Sequence, residues 1–192
     1  YDHVAGRQLG LPLGKAEDFH SYEELLEAYH RQIDYFLDIK VQGSNLIESI
    51  YASYMPAPFL SVITNDCIRK GKDYNAGGAR YNTSYIQGVG IGTVTDSLAA
   101  IRRQVYQEKN VTMGELLQED FENDPRILNL VQNFSPKYGN DDDFADSIMQ
   151  EVFSYYQKAV TGRPNQRGGT YRGNMLPTTC HVYFGEGMLA SA

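Results

Sequence analysis

Apolar residues recur at three- and four-residue steps through Leu25, Leu26, Tyr29, Ile33, Phe36 and Leu37. That spacing is one face of an α-helix. Just ahead, Ser21-Tyr22-Glu23-Glu24 has the spacing of a capping box, in which a hydroxyl and a carboxylate trade hydrogen bonds with first-turn backbone. The period resumes at Leu46, Ile47, Ile50 and Tyr51, and Pro56 and Pro58 stop it because proline cannot continue the helical ladder. Gly43 is the point where this long element could kink or divide. A shorter helix is expected over Phe59 to Lys70, ended by Gly71.

A glycine-rich turn, Asp73 to Asn82, then leads toward a strand. Beyond Gln87 to Thr93, Thr95 reads as the N-cap of a helix from Asp96 to about Gln107. Thr112-Met113-Gly114-Glu115 is a second capping box, opening a short helix. Pro125 suits a helix start, followed by apolar Ile127, Leu128, Leu130 and Val131. Asn140 to Asp143 precede Phe144, Ile148, Met149, Val152, Phe153 and Tyr156, a helix that should end near Gly162. Asn165 to Gly173 reads as a polar loop, and the β-branched and aromatic stretch ending at Gly185 as a strand. Long helices alternating with few short strands imply an α/β architecture with large helical layers.

The 192 residues fit one domain, and 42% hydrophobic with 21% charged residues is a globular composition. The formal net charge of -7 is spread along the chain, so there is no basic face for nucleic acid or an anionic membrane. No apolar run reaches the roughly 20 residues that span a bilayer. Nor does Tyr1-Asp2-His3-Val4 open a signal peptide. Cys67 and Cys180 have no CxxC spacing, which suits a reducing, cytoplasmic setting. Without an initiator Met or a terminal signal, the chain reads as an internal segment.

Four features invite chemistry. Gly88-x-Gly90-x-Gly92 precedes a helix, but a dinucleotide fingerprint needs glycine where Thr93 stands. Anion binding by helix-start amides is one use of these glycines, and close packing or unusual backbone angles is the more ordinary one. Asp141-Asp142-Asp143 lacks the ligand spacing of a calcium loop and suits helix capping. Cys180 and His181 are neighbours in a predicted strand, so their side chains diverge and make a poor pair or metal site. Arg80 with Tyr81 and Asn82, and separately Arg163, could position a carboxylate through the planar guanidinium fork.

Longer runs carry a resemblance. Gly71-Lys72-Asp73-Tyr74, Gly77-Gly78-Ala79-Arg80-Tyr81-Asn82, Tyr85 to Thr93 and Thr95-Asp96-Ser97-Leu98 resemble the glycyl radical enzymes, the pyruvate formate-lyase-like superfamily. Pro136-Lys137-Tyr138-Gly139-Asn140 followed by the aspartates is similar to the dehydratases and lyases within it. Thr161-Gly162-Arg163-Pro164 and Leu176-Pro177-Thr178-Thr179-Cys180-His181 with Tyr183-Phe184-Gly185 are most similar to its trans-4-hydroxy-L-proline dehydratase branch.

The resemblance implies a ten-stranded β/α barrel of two antiparallel halves, inside which two loops meet. One carries a cysteine in a Gly-Cys-Val-Glu setting, the other the radical glycine in an Arg-Val-x-Gly-Tyr setting. Neither motif occurs in these residues, so no catalytic role falls on Cys67 or Cys180, and the chain is expected to lie between the two loops. The implied activity is loss of water from trans-4-hydroxy-L-proline, with the segment inactive by itself. Thr178, Thr179 and Val182 are the expected substrate-facing positions, and no metal ligand is assigned. The alternatives are a glycerol or propane-1,2-diol dehydratase, a formate C-acetyltransferase-like enzyme, or a structural domain derived from the fold. No bound cofactor is implied beyond a glycyl radical outside this chain. An activating enzyme using S-adenosylmethionine and an iron–sulfur cluster would install it. A homodimer, a small-molecule substrate and an anaerobic cytoplasm complete the expectation.

Overall fold

The computed structural model describes residues 6–118 and 123–176. Among these residues the helices and strands follow in chain order: α1 (Tyr22–Tyr54), α2 (Pro58–Ile63), α3 (Cys67–Lys70), β1 (Ser84–Gln87), α4 (Ile91–Ala100), α5 (Met113–Leu116), α6 (Pro125–Asn133), α7 (Asp143–Val160) and β2 (Tyr171–Asn174). A short 3-10 turn, Ala16–Asp18, precedes α1, and a π-helical stretch, Ile101–Gln107, continues α4. Among the described residues no helix is long and apolar enough to cross a membrane.

The chain forms two compact units. One combines residues up to Gln32 with Gly88–Tyr155, and the other combines Ile33–Gln87 with Tyr156–Asn174. The chain passes between them inside α1 and again inside α7.

In the first unit Tyr22 and Leu26 of α1, Leu98 and Ala99 of α4, and Ile148 and Val152 of α7 make the buried core. Burying side chains of this size stabilises by about 1.5–3 kcal/mol each relative to exposure. The start of α1 is capped much as expected: Glu24 N–H donates to Ser21 Oγ at 3.2 Å, while the Glu24 carboxylate reaches one residue further, to His20 N–H. The second capping box is complete, with Thr112 and Glu115 each accepting from the other's backbone. Asp142 Oδ1 accepts from Phe144 and Ala145 N–H, so the aspartate run caps α7. The π-helical stretch is closed by Gln104, fully buried. Its amide donates to Phe134 O at 2.9 Å and to Ser135 Oγ, and its carbonyl accepts from Asn110.

Four expectations need correction. α1 runs unbroken through Gly43, where a Cβ would meet nothing within 4 Å. The helix expected over Phe59 to Lys70 is two, separated by a turn in which Asp66 adopts φ 78. The helix assigned to a Thr95 cap starts earlier, at Ile91, because Gly90 takes φ 83 and its carbonyl accepts from Val94 N–H; Thr95 lies fully buried inside it. The expected polar loop over Asn165 to Gly173 ends in β2, which pairs in parallel with β1. The strand expected before Gly185 lies outside the described residues.

Candidate functional site

The parallel pair belongs to the second unit. Ser84 stands opposite Tyr171, Tyr85 opposite Arg172, Ile86 opposite Gly173, and Gln87 opposite Asn174. Alternation along a strand sends successive side chains to opposite faces. Ser84, Ile86 and Tyr171 are buried, whereas Tyr85 and Arg172 are exposed. Side chains of α1 meet the buried face: Tyr171 Oη donates to Asn45 Oδ1 at 2.9 Å, and Ser84 Oγ donates to Glu48.

The amino-terminal end of the pair is tied by one polar network. Ser84 Oγ gives its proton to Glu48 Oε1 and accepts from Asn165 Nδ2 at 2.9 Å and Arg167 Nη2 at 3.2 Å, which fills its hydrogen-bonding capacity. Glu48 also faces Arg167 Nε at 3.5 Å and accepts from Gln166 N–H at 3.1 Å. Asn165 closes the loop by accepting from Gly169 N–H. In β/α folds the amino-terminal ends of strands serve stability, and ligands collect at the carboxyl-terminal ends.

At the carboxyl-terminal end, Gln87 and Asn174 are register partners, and Asn174 Oδ1 is buried with no hydrogen-bond partner among the described residues. From there the chain continues toward Thr178, Thr179 and Val182, the sequence's substrate-facing candidates. Those three lie outside the described residues, as do Cys180 and His181. The polar pair Gln87 and Asn174 was missed in the sequence; an amide two residues before a Leu-Pro-Thr-Thr run was the available signal.

Both carboxylate-positioning arginines are already engaged. Arg80 donates from Nε and Nη2 to Asp66 at 3.2 and 3.1 Å, and Arg69 adds a second ion pair. The Arg80 and Arg69 hydrogen bonds hold the Asp66 carboxyl down at about 2. Arg163 donates to Ala159 O at 2.6 Å and pairs with Asp38. Each guanidinium is thus paired with a carboxylate of this chain. The glycine run resolves similarly: only its central glycine, Gly90, has a positive φ, and it starts α4. Asp96, buried in α4, instead accepts from Tyr138 N–H at 2.8 Å and so joins two of the motifs that carried the resemblance.

In the first unit an open cleft of about 540 Å³ is lined by Phe19, Tyr22, Arg102, Tyr106 and Lys109, among others. The Arg102 guanidinium lies 4.9 Å over the Tyr22 ring, a cation–π contact. Burial, with the Glu151 charge second, pushes the Tyr22 hydroxyl up to about 12. None of the sequence candidates among the described residues lines this cleft.

Comparison with known proteins accounts for the motifs. Residues 1–185 match the pyruvate formate lyase-like family. The trans-4-hydroxy-L-proline dehydratase of Clostridioides difficile is 57% identical over 194 residues, covering 100% of this chain and 25% of that protein. A crystal structure of the hydroxyproline dehydratase from the same organism, with trans-4-hydroxy-L-proline bound, superposes with a TM-score of 0.93 at 56% identity, over 99% of this chain and 24% of that one. The glycerol-bound B12-independent glycerol dehydratase of Clostridium butyricum superposes at 0.89 with 37% identity, over 96% and 24%. The chain therefore spans about a quarter of the length of these relatives. Its helices and parallel strand pair are an α/β portion of their barrel fold, and the chain belongs to the pyruvate formate lyase-like family.

Proposed function

We propose that this chain is one part of a glycyl radical dehydratase, a lyase that removes water from trans-4-hydroxy-L-proline. The observation that carries this reading is the 57% identity along the whole chain to a hydroxyproline dehydratase, against 32% to a (2S)-3-sulfopropanediol dehydratase of Klebsiella oxytoca. In the reading, a glycyl radical elsewhere in the polypeptide takes a hydrogen atom from a cysteine. The resulting thiyl takes one from the substrate, water leaves with a glutamate assisting, and the cysteine returns its hydrogen atom to the product radical. The net change is loss of one water. No residue of this chain performs those transfers. The contribution here is the wall: Thr178, Thr179 and Val182, which follow β2 in the sequence, are the residues assigned to the substrate. A threonine hydroxyl there would hydrogen-bond a carboxylate or hydroxyl, and a site built around such a bond rejects analogues lacking it.

The radical is installed by a separate activating enzyme using S-adenosylmethionine and an iron–sulfur cluster. The working enzyme is a cytoplasmic homodimer in an anaerobic cell. The test is substitution of Thr178→Val and Thr179→Val, separately, in the polypeptide that contains both loops. A raised KM or lowered kcat in at least one variant is expected, and unchanged constants in both refute the wall assignment.

A further inference from the structure

One register pair, Ile86 and Gly173, is held by two consecutive residues of α7. Tyr156 Oη donates to Ile86 O at 2.6 Å, and Gln157 Nε2 donates to Gly173 O at 3.1 Å. Both carbonyls are thereby fixed by side chains at the last but one position of each strand. Gly173 is what lets the helix come this close. A Cβ there would stand 2.8 Å from Tyr156 Cε1 and 3.0 Å from Gln157 Oε1. Tyr156 is itself buried, so its ring cannot swing away without opening the unit's interior. The grip lies one residue before Asn174, at the carboxyl-terminal end of the pair, whereas the Glu48 network ties the opposite end. Two fastenings at opposite ends fix the register of the pair and the place of its last residues.

We propose that Tyr156 and Gln157 are positioning residues for the reaction proposed above, setting through Gly173 the point from which the substrate-facing segment departs. The inference rests on that reading of the site. A misplacement of about 1 Å at a reacting centre costs up to roughly a hundredfold in rate, so small changes in this grip should be read in catalysis before they are read in folding. Tyr156→Phe removes one hydroxyl and keeps the ring. Gln157→Met keeps the length and removes the donor.

The experiment compares both variants with wild type in the full-length, activated enzyme. The substrate is whichever of trans-4-hydroxy-L-proline, glycerol or propane-1,2-diol the wild type dehydrates. Wild-type inactivity on hydroxyproline would therefore overturn the substrate assignment and leave this comparison intact. The expected result is a kcat/KM lowered about tenfold or more, through kcat, KM or both, with glycyl radical content by electron paramagnetic resonance unchanged. Wild-type constants in both variants would overturn the proposal. So would radical content and kcat falling together at constant KM, because that is a general structural loss. If Tyr156→Phe does not fold, Gln157→Met decides alone.

Discussion

Replacing Gly78 with alanine tests the turn that opens the motif region. A Cβ on Gly78 would lie 2.0 Å from Lys72 O, 2.8 Å from Lys72 C and 2.9 Å from Asp73 O. All three are backbone atoms, and carbon–oxygen contacts normally sit near 3.3–3.6 Å. The turn must therefore open by roughly 1 Å, which strains the hydrogen bonds from Gly78 N–H to Asp73 O and from Gly77 N–H to Tyr74 O. Two such bonds at about 1 kcal/mol each, with about 1–3 kcal/mol of overpacking, give a local cost of about 3–5 kcal/mol. Hydrogen exchange read over the 71–87 segment reports that opening directly, and about 3 kcal/mol corresponds to roughly two orders of magnitude in rate. Gly43→Ala is the control of opposite sign. Nothing lies within 4 Å of its Cβ and α1 is continuous there, so exchange in that helix should slow several-fold, for a gain of about 0.5–1 kcal/mol. Wild-type exchange in Gly78→Ala would refute the close approach, and faster exchange around Gly43→Ala would refute the continuous helix.

Acid should loosen the α2–α3 region. Hydrogen bonds from Arg80 and Arg69 lower Asp66 from 3.8 to about 2, and Ser61 leads the groups that lower Asp73. Depressed carboxylates contribute stability above their unfolded values near 4 and lose it as pH falls through the folded ones. The urea midpoint should thus drop between about pH 4 and 2, and Asp66→Asn with Asp73→Asn should flatten that slope; a rising midpoint on acidification would contradict the assignment. Gln104→Leu leaves Phe134 O and the Asn110 amide without their partner, at a cost of about 2–4 kcal/mol in unfolding free energy, whereas a change under about 0.5 kcal/mol would mean the network is dispensable. Phe59, Ile63 and Tyr54 are 90%, 80% and 80% exposed, and an apolar surface of this kind associates. The 192-residue chain by itself should bind 8-anilinonaphthalene sulfonate and self-associate, and a sharp, reversible transition of a monomer would count against this.

The helices were legible where local chemistry decides them. Thr112 and Glu115 cap each other because both partners lie within one turn, and the apolar period of α7 coincides with the residues it buries. β2 was not legible. Tyr171-Arg172-Gly173-Asn174 has neither alternation nor branched residues, and it is a strand because β1 and the side chains of α7 supply its partners from elsewhere in the chain. Thr95 misled for a related reason: a threonine before a helical run looks like a cap, but Gly90 with its positive φ starts the helix five residues earlier. Arg80 and Arg163 carry no sequence sign of Asp66 and Asp38, which lie 14 and 125 residues away. Thr178, Thr179 and Val182 came from resemblance rather than from pattern, and their position beyond β2 became meaningful only once β2 was a strand.

The central claim is tested most directly by activating the full polypeptide that contains this chain with its radical-installing enzyme under anaerobic conditions, supplying trans-4-hydroxy-L-proline and following the product by mass. The account predicts a glycyl radical signal and a product lighter than the substrate by one water. A radical-bearing enzyme that leaves hydroxyproline untouched while dehydrating glycerol or propane-1,2-diol would contradict it.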